Sequence, residues 1–379
     1  MRIALVVPGG VDRSGEYRVI PALLALISRL ALRNEVHVFA LRQEAQACDW
    51  DLAGAQIHNI GFRHMRLRAV RSICAMHRSS PFGVVHAIWS GSCGLVTVVA
   101  AKILGIPSLI HVGGGELVAL PEIGYGDRLR WRGRIREGLV LRGTSAVTAA
   151  STPVIQTLSK LGLVAQRVPL GVDLNVWPPR EPARRDLGRP ARLIHVASLN
   201  RVKDQATLLR ALASLMRSGL SFEMNIIGED LLQGEMQTLA GQLGLSDRVT
   251  FRGFLPQREL RPLVEAADLM IMSSRHETGP LAMLEAAVAG VPTVGTAVGH
   301  IAEWAPHAAV AVPVADWACL AGAVRQLLND EDLRLGVARE ALKRATREDA
   351  DYTAERFQAL YGQLIAGRQR GARSHPPPT

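Results

Sequence analysis

Aromatic residues and cysteines are scarce in this chain of 379 residues. Phe, Tyr and Trp make up 4% of it and no nucleic-acid recognition motif is present, so we expect no nucleic-acid partner. The cysteines lack the spacing of a metal or redox site; they are Cys48, Cys74, Cys93 and Cys319. Scattered thiols of this kind are typical of a reducing compartment, and we expect a cytoplasmic protein.

Long apolar runs and metal-ligand clusters are missing as well. The longest apolar stretches are interrupted by Arg29 and Lys102, so no membrane-spanning helix is expected. A strand-like run begins directly after Met1-Arg2, so no signal peptide is expected. Because no His, Cys, Asp or Glu residues have metal-ligand spacing, we expect neither a catalytic metal nor a bound cofactor.

Strand-like apolar runs do occur, and they alternate with helical patterns in a chain that is 48% hydrophobic. This length and composition predict two domains. The alternation predicts an α/β fold with parallel sheets and crossover helices in each half. Strands are predicted near residues 2–8, 35–41, 56–60, 84–88, 108–112, 146–149, 167–169, 193–197, 223–227, 249–252, 269–273, 293–295 and 309–312.

Positive charge exceeds negative charge. Lys and Arg number 44 against 34 Asp and Glu, a net charge of +10. Part of the excess lies in two clusters, Arg63, Arg66, Arg68, Arg71 and Arg78, and Arg128, Arg130, Arg132, Arg134 and Arg136. Such patches attract anionic lipid surfaces or phosphates. A solvated basic face is the alternative, and the sequence leaves both open.

The segment from Arg275 to Gly290 is the most informative one. It leads through a Gly-Pro step into a nearly continuous apolar helix, with Pro280 expected at the first helical position and Gly290 at the end. Glu285 lies inside this helix, where a carboxylate is costly unless it is paired or hydrogen-bonded. The helix N-terminus is in turn a suitable site for an anion.

Glu277 and Glu285 are eight residues apart in the sequence. That spacing corresponds to roughly 10 Å along a helix axis, which is too long for a carboxylate pair that shares a proton and long for a glycosidase pair. It fits two contacts on one elongated ligand with a diphosphate between them, such as a nucleotide sugar. One solvated glutamate and one glutamate partly buried by a salt bridge are the alternative.

The same segment resembles the Glu-x7-Glu signature of the retaining glycosyltransferases of family 4, which have the GT-B fold. Other stretches are similar to that family: Gly171-Val172-Asp173 with Trp177-Pro178, Val196-Ala197-Ser198-Leu199 followed by Lys203, Asn225-Ile226-Ile227-Gly228, Phe251-Arg252-Gly253-Phe254-Leu255, and Ala267-Asp268-Leu269 through Ser274. The resemblance implies two doubly wound Rossmann-like domains that face each other across a cleft.

Two positions depart from the family pattern. Ser198 stands where the family commonly has arginine, and Arg201 is the nearby cation that can substitute. Gly113-Gly114-Gly115-Glu116 stands where many members have His-Gly-x-Asp, so the usual histidine position is Gly113. The acceptor side is therefore unusual for the family.

The resemblance also implies domain boundaries. We expect an acceptor-side domain at 1–172, a linker at 173–190 and a nucleotide-sugar-binding domain at 191–349. A C-terminal helix at about 350–367 would return to the first domain, and a disordered tail would follow at 368–379.

Roles for individual residues follow from the family pattern. Lys203 would neutralise the departing diphosphate, Glu277 would hold sugar hydroxyls and Glu285 would accept hydrogen bonds from ribose hydroxyls. Glu116 would orient the acceptor or the sugar, with a surface-loop acid as the alternative. Further donor-binding residues implied by the resemblance are Arg201, Ser198, His276, Thr278, Gly279, Pro280, Leu281, Gly10, Gly228, Phe254 and Leu255; for Gly10 a simple turn is the alternative.

The implied activity is transfer of a hexosyl group from a nucleotide-diphospho-sugar to an acceptor hydroxyl, with retention of configuration. The implied partners are the nucleotide sugar and a glycan, lipid-linked or polysaccharide acceptor, and we expect peripheral contact with the inner face of the membrane. Two alternatives stay open: a GT-B nucleotide-sugar epimerase, which would convert its donor without an acceptor, and a non-catalytic donor-binding scaffold.

Overall fold

The computed structural model describes the backbone of residues 1–373 and the side chains of residues 1–368. The chain forms two compact units, one made of Met1–Leu170 with the chain from Ala350 onward, the other of Gly171–Asp349. Each unit has its own sheet and its own hydrophobic cores. The predicted α/β class with two Rossmann-like sheets is confirmed.

The first unit contains an eight-stranded sheet with the strand order β3-β4-β2-β1-β5-β6-β7-β8. Its strands are β1 (Arg2–Val7), β2 (Glu35–Ala40), β3 (Cys48–Leu52), β4 (Ala55–Asn59), β5 (Val84–Ile88), β6 (Ser108–Val112), β7 (Ala146–Ala149) and β8 (Gln166–Arg167). Its first five helices are α1 (Pro21–Ala31), α2 (Met65–Ser79), α3 (Leu95–Leu104), α4 (Trp131–Gly143) and α5 (Thr152–Lys160). Side chains of α2, α3, α4 and α5 share one hydrophobic core with the sheet.

Strand β3 is absent from the strands that the sequence predicts. It is the antiparallel edge strand, paired with β4 alone, and its Asp49 and Asp51 side chains are exposed. The Ala53-Gly54 turn that joins the two strands has positive φ at both residues, 52° and 78°, the turn geometry that matches the twist of a hairpin. A polar edge strand carries little hydrophobic signal, and this explains the omission.

The second unit contains a six-stranded parallel sheet with the order β11-β10-β9-β12-β13-β14. Its strands are β9 (Ala191–Val196), β10 (Phe222–Ile227), β11 (Val249–Phe251), β12 (Leu269–Met272), β13 (Thr293–Thr296) and β14 (Val310–Val312). Its helices are α6 (Gln205–Arg217), α7 (Glu235–Gln242), α8 (Gln257–Glu265), α9 (Leu281–Val288), α10 (Gly299–Trp304), α11 (Trp317–Asn329) and α12 (Glu331–Arg347). The strand order reverses between β9 and β12, and sheets of this kind bind ligands at the carboxyl ends of the strands at such a reversal.

The stretch 173–190, expected to be a linker, lies within the second unit. Trp177 is 2% exposed and packs with Val172 in the core that also contains α9. An indole buried in this way fastens the irregular stretch to the unit. The first and last residues of the unit also meet, because a Cβ atom added to Gly171 would lie 2.1 Å from the Asp349 carbonyl carbon.

The last helix, α13 (Ala350–Arg373), belongs to the first unit. Its Phe357 ring contacts the rings of His86 and His111, and the Tyr361 hydroxyl lies 2.7 Å from His86 Nδ1. Burial lowers the pKa of both histidines well below its usual value, so both are neutral packed side chains. The tail expected at 368–379 begins inside this helix, and its residues after 373 lie outside the described part of the chain.

Candidate functional site

Two loops of the second unit, those that follow β9 and β12, are joined into one surface. The Arg275 N–H donates to the Val202 carbonyl at 2.7 Å, and the Ser273 hydroxyl donates to the Lys203 carbonyl at 2.9 Å. The Arg275 guanidinium also pairs with the Asp204 carboxylate at 3.0 Å, and Asp204 caps helix α6. These contacts hold both loops in place at the reversal of strand order.

Lys203 and Glu277 face each other across these loops. Lys203 Nζ lies 2.5 Å from Glu277 Oε1, which also accepts a hydrogen bond from the Ser274 hydroxyl at 2.6 Å. The side chain of Lys203 is 24% exposed and that of Glu277 is 9% exposed. An ammonium group has three N–H donors, and Glu277 is its one acidic partner among the described residues. The lysine therefore keeps donors for an anionic ligand.

Helix α9 begins one residue later than the sequence predicts. Pro280 is the N-cap, with ψ at 116°, and Leu281 is the first helical residue. From Met283 onward the helix is buried, whereas Leu281 and Ala282 in its first turn are partly exposed. Glu285 follows these two residues by one turn and so lies on the same strip of the helix surface.

A relay of hydrogen bonds holds Glu285 from a neighbouring helix. Gln257 Nε2 donates to Glu285 Oε1 at 2.9 Å, and Trp177 Nε1 donates to Gln257 Oε1 at 2.6 Å. The partner of Glu285 is thus a neutral amide and not the cation of a salt bridge. Burial raises the pKa of Glu285 to about 7, although the Gln257 hydrogen bond acts in the opposite direction. Further donors, such as hydroxyls of a ligand, would stabilise the carboxylate form.

Arg201 and Ser198 are placed less favourably for a ligand than Lys203. Arg201 is 60% exposed and its guanidinium pairs with Glu235 on α7 at 2.9 Å. The Ser198 carbonyl accepts a hydrogen bond from Gln205 Nε2, which also contacts the buried ring of His195. Burial lowers the pKa of His195 to about 4, so this neutral ring braces the loop.

The remaining predicted donor-binding residues of the second unit lie on the loops after β10, β11 and β12. The loop after β12 and the start of α9 contain His276, Thr278, Gly279, Pro280 and Leu281. After β11, Phe254 is 50% exposed and Leu255 packs against the core that contains α9. All of these positions therefore belong to the carboxyl edge of one sheet.

Gly228, which follows β10, lies against the loop after β9. A Cβ atom at this position would lie 2.1 Å from the Ala197 carbonyl oxygen and 2.7 Å from the Ser198 nitrogen. Only glycine permits this approach, because neither obstacle is a flexible side chain. The residue thus sets the distance between two loops of the candidate site.

Replacing Gly228 with alanine is expected to destabilise the second unit by more than about 2 kcal/mol, through the collision of Cβ with backbone. The matched control is Gly234→Ala, because Gly234 has φ at 87° and no atom within 4 Å of the added Cβ. That substitution should cost only about 1 kcal/mol of backbone strain. Urea unfolding of both variants measures the difference, and equal losses would contradict the steric interpretation.

Gly10 and Glu116 lie in the first unit, after β1 and β6. Gly10 has φ at 81° and its N–H donates to Gln43 Oε1 at 2.7 Å, so it forms a tight turn held by a side chain. The Glu116 carboxylate is buried and accepts hydrogen bonds from the Ser90 and Gly114 N–H groups, at 3.1 Å and 2.6 Å. It is therefore not a surface-loop acid, and the contacts observed are those of a residue that shapes two strand-end loops.

A second carboxylate of this region, Glu137 on α4, is not among the predicted residues. It is fully buried, and neither oxygen has a hydrogen bond of good geometry from the described residues. The pKa of Glu137 is raised to about 7, mainly by burial and also by the nearby Glu116 carboxylate, while the Ser90 hydroxyl and Arg136 act in the opposite direction. The sequence does not indicate that Glu137 is buried. The helix around it is rich in arginine, and that composition is typical of an exposed helix.

The Glu137→Gln variant is expected to be more stable than the wild type at pH 8, by on the order of 2 kcal/mol. The folded-state pKa of Glu137 is above its usual value, so its contribution to stability is complete below pH 4.5 and is lost as the pH rises through about 7. The variant should therefore lose less stability than the wild type between pH 5 and pH 8. Urea unfolding of both proteins at pH 5 and pH 8 measures the two losses of stability. Equal losses would contradict the raised pKa of Glu137.

Three further residues support the predicted glutamates without having been predicted. Ser274 binds Glu277, Gln257 binds Glu285, and the Thr296 hydroxyl donates to the Ser274 carbonyl at 2.5 Å. Ser274 and Thr296 lie at the carboxyl ends of strands that the sequence predicts, and that position is the signal that indicates them. Gln257 is the first residue of α8 and carries no such signal.

Among the described residues, no three His, Cys, Asp or Glu side chains are grouped in a way that could hold a metal ion. None of the helices in the same part of the chain combines the length and the hydropathy needed to span a bilayer.

Comparison with known proteins points to one class of enzyme. A D-inositol 3-phosphate glycosyltransferase of Corynebacterium urealyticum is 33% identical over 229 residues, which are 54% of this chain and 53% of that protein. The chain thus spans about half the length of the curated relatives it matches there. Among solved structures, sucrose-phosphate synthase from Thermosynechococcus elongatus has a TM-score of 0.81 at 18% identity over 97% of this chain and 100% of that chain. HepE of Anabaena, in a complex with UDP-glucose, has a TM-score of 0.75 at 18% identity over 96% and 100%.

Family models match both units of the chain. Residues 19–172 match the glycosyl transferase 4-like domain, and residues 180–348 match the glycosyl transferases group 1 family. The solved structures of similar fold are glycosyltransferases of the GT-B type. The first unit is therefore similar to a glycosyl transferase 4-like domain, the second is similar to a glycosyl transferases group 1 domain, and the fold is that of the GT-B glycosyltransferases.

Proposed function

We propose that this protein transfers a hexosyl group from a nucleotide-diphospho-sugar to an acceptor hydroxyl, with retention of configuration, as a family 4 enzyme does. The observation that carries the proposal is the pairing of Lys203 with Glu277 where the strand order reverses, with Glu285 one turn inside the adjacent helix. A cation, a helix N-terminus and two glutamates on one surface match the diphosphate and the two sugars of such a donor.

Lys203 is the residue proposed to act on the leaving group. Negative charge grows on the departing diphosphate as the glycosidic bond breaks, and a preorganised cation stabilises that charge more in the transition state than in the ground state. The N–H groups at Gly279 and Leu281 would add the dipole of α9 to the same phosphates. The protein itself would supply this positive charge, and we propose that transfer is independent of metal.

The two glutamates are proposed to hold the two sugars of the donor. Glu277 is fixed at one oxygen by Lys203 and Ser274, which leaves its other oxygen to accept hydrogen bonds from hexosyl hydroxyls. Glu285, held by Gln257, would accept hydrogen bonds from the ribose hydroxyls. Retention would follow from attack of the acceptor on the face that the diphosphate leaves, with the leaving phosphate taking the acceptor proton.

The proposal names the donor and the acceptor only by chemical class. HepE, of similar fold, is seen with UDP-glucose, and this makes UDP-glucose the first donor to test. The acceptor is proposed to be a glycan, a lipid-linked sugar or a polysaccharide precursor, met in the cytoplasm or at the inner face of the membrane. Gly113 in place of the usual histidine means that the acceptor side would work without that imidazole.

The test is calorimetric titration of the protein with a panel of nucleotide sugars and free nucleotides in the presence of a chelator. We expect sub-millimolar binding of one donor, followed by transfer to an added acceptor pool and by an α product from an α donor. Conversion of the donor without any acceptor would support an epimerase instead. Donor binding without turnover on any acceptor pool would favour a scaffold, and the absence of all donor binding would overturn the proposal.

A further inference from the structure

Helix α4 is apolar on two opposite sides. Val140 and Leu141 face the core of the first unit, as amphipathic helices require. Trp131, Ile135 and Leu139, however, are 60%, 53% and 70% exposed. They are spaced four residues apart, so they form one continuous strip along the outward face of the helix. A contiguous apolar strip that is exposed to water marks a surface for contact with another molecule or with a membrane.

Arginines border this apolar strip. Arg132 and Arg134 are exposed on its two sides, and Arg142 is exposed near its end. The Arg132 guanidinium lies 5.4 Å from the centre of the Trp131 ring, so charge and apolar surface are in contact. The Arg136–Asp127 pair, at 2.7 Å, is the one ion pair formed by α4 among the described side chains. The strip is thus flanked by unpaired positive charge.

The neighbouring helices extend the same surface. Helices α2, α3 and α4 pack side by side on one core of the first unit. The outward side of α3 exposes Val99, Lys102 and Ile103, and that of α2 exposes Leu67 beside arginines. Phe62, just before α2, is 56% exposed. We call the outward faces of these three helices, with Phe62, the α2–α4 face.

The charge of the whole chain is concentrated in the part that carries this face. Between Ala53 and Val172 the sequence has 14 Lys and Arg but only four acids, Glu116, Glu122, Asp127 and Glu137. The difference, +10, equals the net charge of the entire protein. Two of the four acids, Glu116 and Glu137, are buried, and Asp127 is paired with Arg136. Nine of the 14 cations lie on α2, α3 and α4, and the one acid of these helices, Glu137, is buried, so the α2–α4 face is strongly positive as well as apolar.

We propose that the α2–α4 face binds the surface of an anionic lipid bilayer, with the Trp131, Ile135 and Leu139 side chains inserted at the level of the headgroups. A tryptophan, branched aliphatic side chains and arginines on one face are what an interfacial helix requires, since the apolar groups leave water while the guanidinium groups meet lipid phosphates. The proposed site for the nucleotide sugar lies on the second unit, so this inference does not depend on the proposed transfer reaction.

Charge complementarity favours a bilayer over the other possible occupants. A second copy of this chain would bring two strongly positive faces together, which is repulsive. A nucleic acid would use the arginines but leave the aliphatic strip in water, and the single exposed indole is no stacking platform. Only a surface with both negative headgroups and an apolar interior satisfies both features.

The experiment is flotation of the protein with vesicles of phosphatidylcholine alone and with vesicles that also contain phosphatidylglycerol. The wild type is expected to bind the anionic vesicles, to bind less as salt is added and to leave the neutral vesicles largely unbound. Ile135→Ser/Leu139→Ser should weaken binding roughly tenfold or more through lost apolar burial. Arg132→Gln/Arg134→Gln should weaken it roughly 25-fold, at about fivefold for each arginine.

Matched control variants are available on the second unit. Leu187 is 78% exposed, close to Leu139, so Leu187→Ser changes an equally exposed leucine elsewhere. Arg210 and Arg217 are exposed on α6, so Arg210→Gln/Arg217→Gln removes the same charge elsewhere. Neither control should alter vesicle binding. Because all substituted side chains are exposed, melting temperatures should stay close to that of the wild type.

Three results would overturn the proposal. One is no binding to anionic vesicles at low salt, and another is equal binding by the wild type and both α4 variants. The third is a dimer in sedimentation that dissociates on Ile135→Ser/Leu139→Ser while vesicles are not bound, which would make the strip an interface between two copies. Loss of vesicle binding with donor binding retained would leave the proposed function unaffected.

Discussion

Replacing Lys203 with methionine is expected to lower kcat for glycosyl transfer by about 100- to 1,000-fold, the usual effect of losing one preorganised group that meets developing charge. Methionine keeps the length of the side chain but removes the ammonium that lies 2.5 Å from Glu277. The KM for the donor should rise less than kcat falls, because the lost contact is strongest in the transition state. Initial rates at varied donor concentration measure both constants.

The control for this variant is Arg201→Gln. Arg201 is a cation on the same loop, but it is exposed and paired with Glu235 at the surface, so its removal should change the rate less than about threefold, in the range of an exposed ion pair. A fall in kcat as large as that of the lysine variant would show that Arg201 leaves Glu235 for the diphosphate. A normal rate in Lys203→Met would instead remove the lysine from the proposed mechanism.

The Glu285→Gln variant is expected to bind the donor at least tenfold more weakly and yet to be more stable at pH 8, by on the order of 2 to 3 kcal/mol. The introduced amide would keep the bond with Gln257 but offer an NH2 group to ribose hydroxyls that need an acceptor. The stability change follows from burial, which raises the pKa of Glu285 to about 7 and makes its ionised form costly in the absence of a ligand.

The contribution of Glu285 to stability and its contribution to donor affinity should change in opposite directions with pH. In the free protein the contribution of Glu285 to stability is complete below pH 4.5 and is lost as the pH rises through about 7. The donor is expected to bind the carboxylate form, so its affinity should rise between pH 6 and pH 8 and level off above that range. In Glu285→Gln the donor affinity should not depend on pH in this range, and the stability should fall less than that of the wild type.

Calorimetric titrations and thermal unfolding at pH 6 and pH 8 measure these changes. Glu137→Gln is the control, because it removes a buried carboxyl with a similarly raised pKa from the other unit. It should share the gain in stability at pH 8 but keep the donor affinity of the wild type. If Glu285→Gln also kept its donor affinity, the relay from Trp177 through Gln257 would have a purely structural role.

Much of the fold follows from apolar patterning, and the exceptions have identifiable causes. The central strands β5, β6 and β12 are buried on both faces, so their apolar runs are visible in the sequence. Strand β3 is missed because an edge strand with exposed Asp49 and Asp51 lacks that pattern. The stretch around Trp177 looks like a linker because its prolines and charges outweigh one buried indole.

For the candidate site, the sequence identifies groups but not their partners. The Glu-x7-Glu spacing indicates both glutamates, because each is unusual where it stands. Gln257 is 28 residues from Glu285, and Ser274 is an ordinary serine, so only the fold shows what they bind. The burial of Glu137 cannot be predicted for a related reason. In the sequence it is one carboxylate among arginines, and only the packing of α4 shows that it is buried.

The meeting of Gly171 and Asp349 has a consequence for how this protein can be divided. The chain enters the second unit and leaves it at the same place, so this unit is a domain inserted into the first one. The two ends of the segment 171–349 are adjacent, so no long linker is needed to join them to another chain. Domains of this kind tolerate excision and insertion elsewhere. Exchanging this segment for that of a relative would therefore change the unit proposed to bind the donor while leaving the α2–α4 face in its native setting.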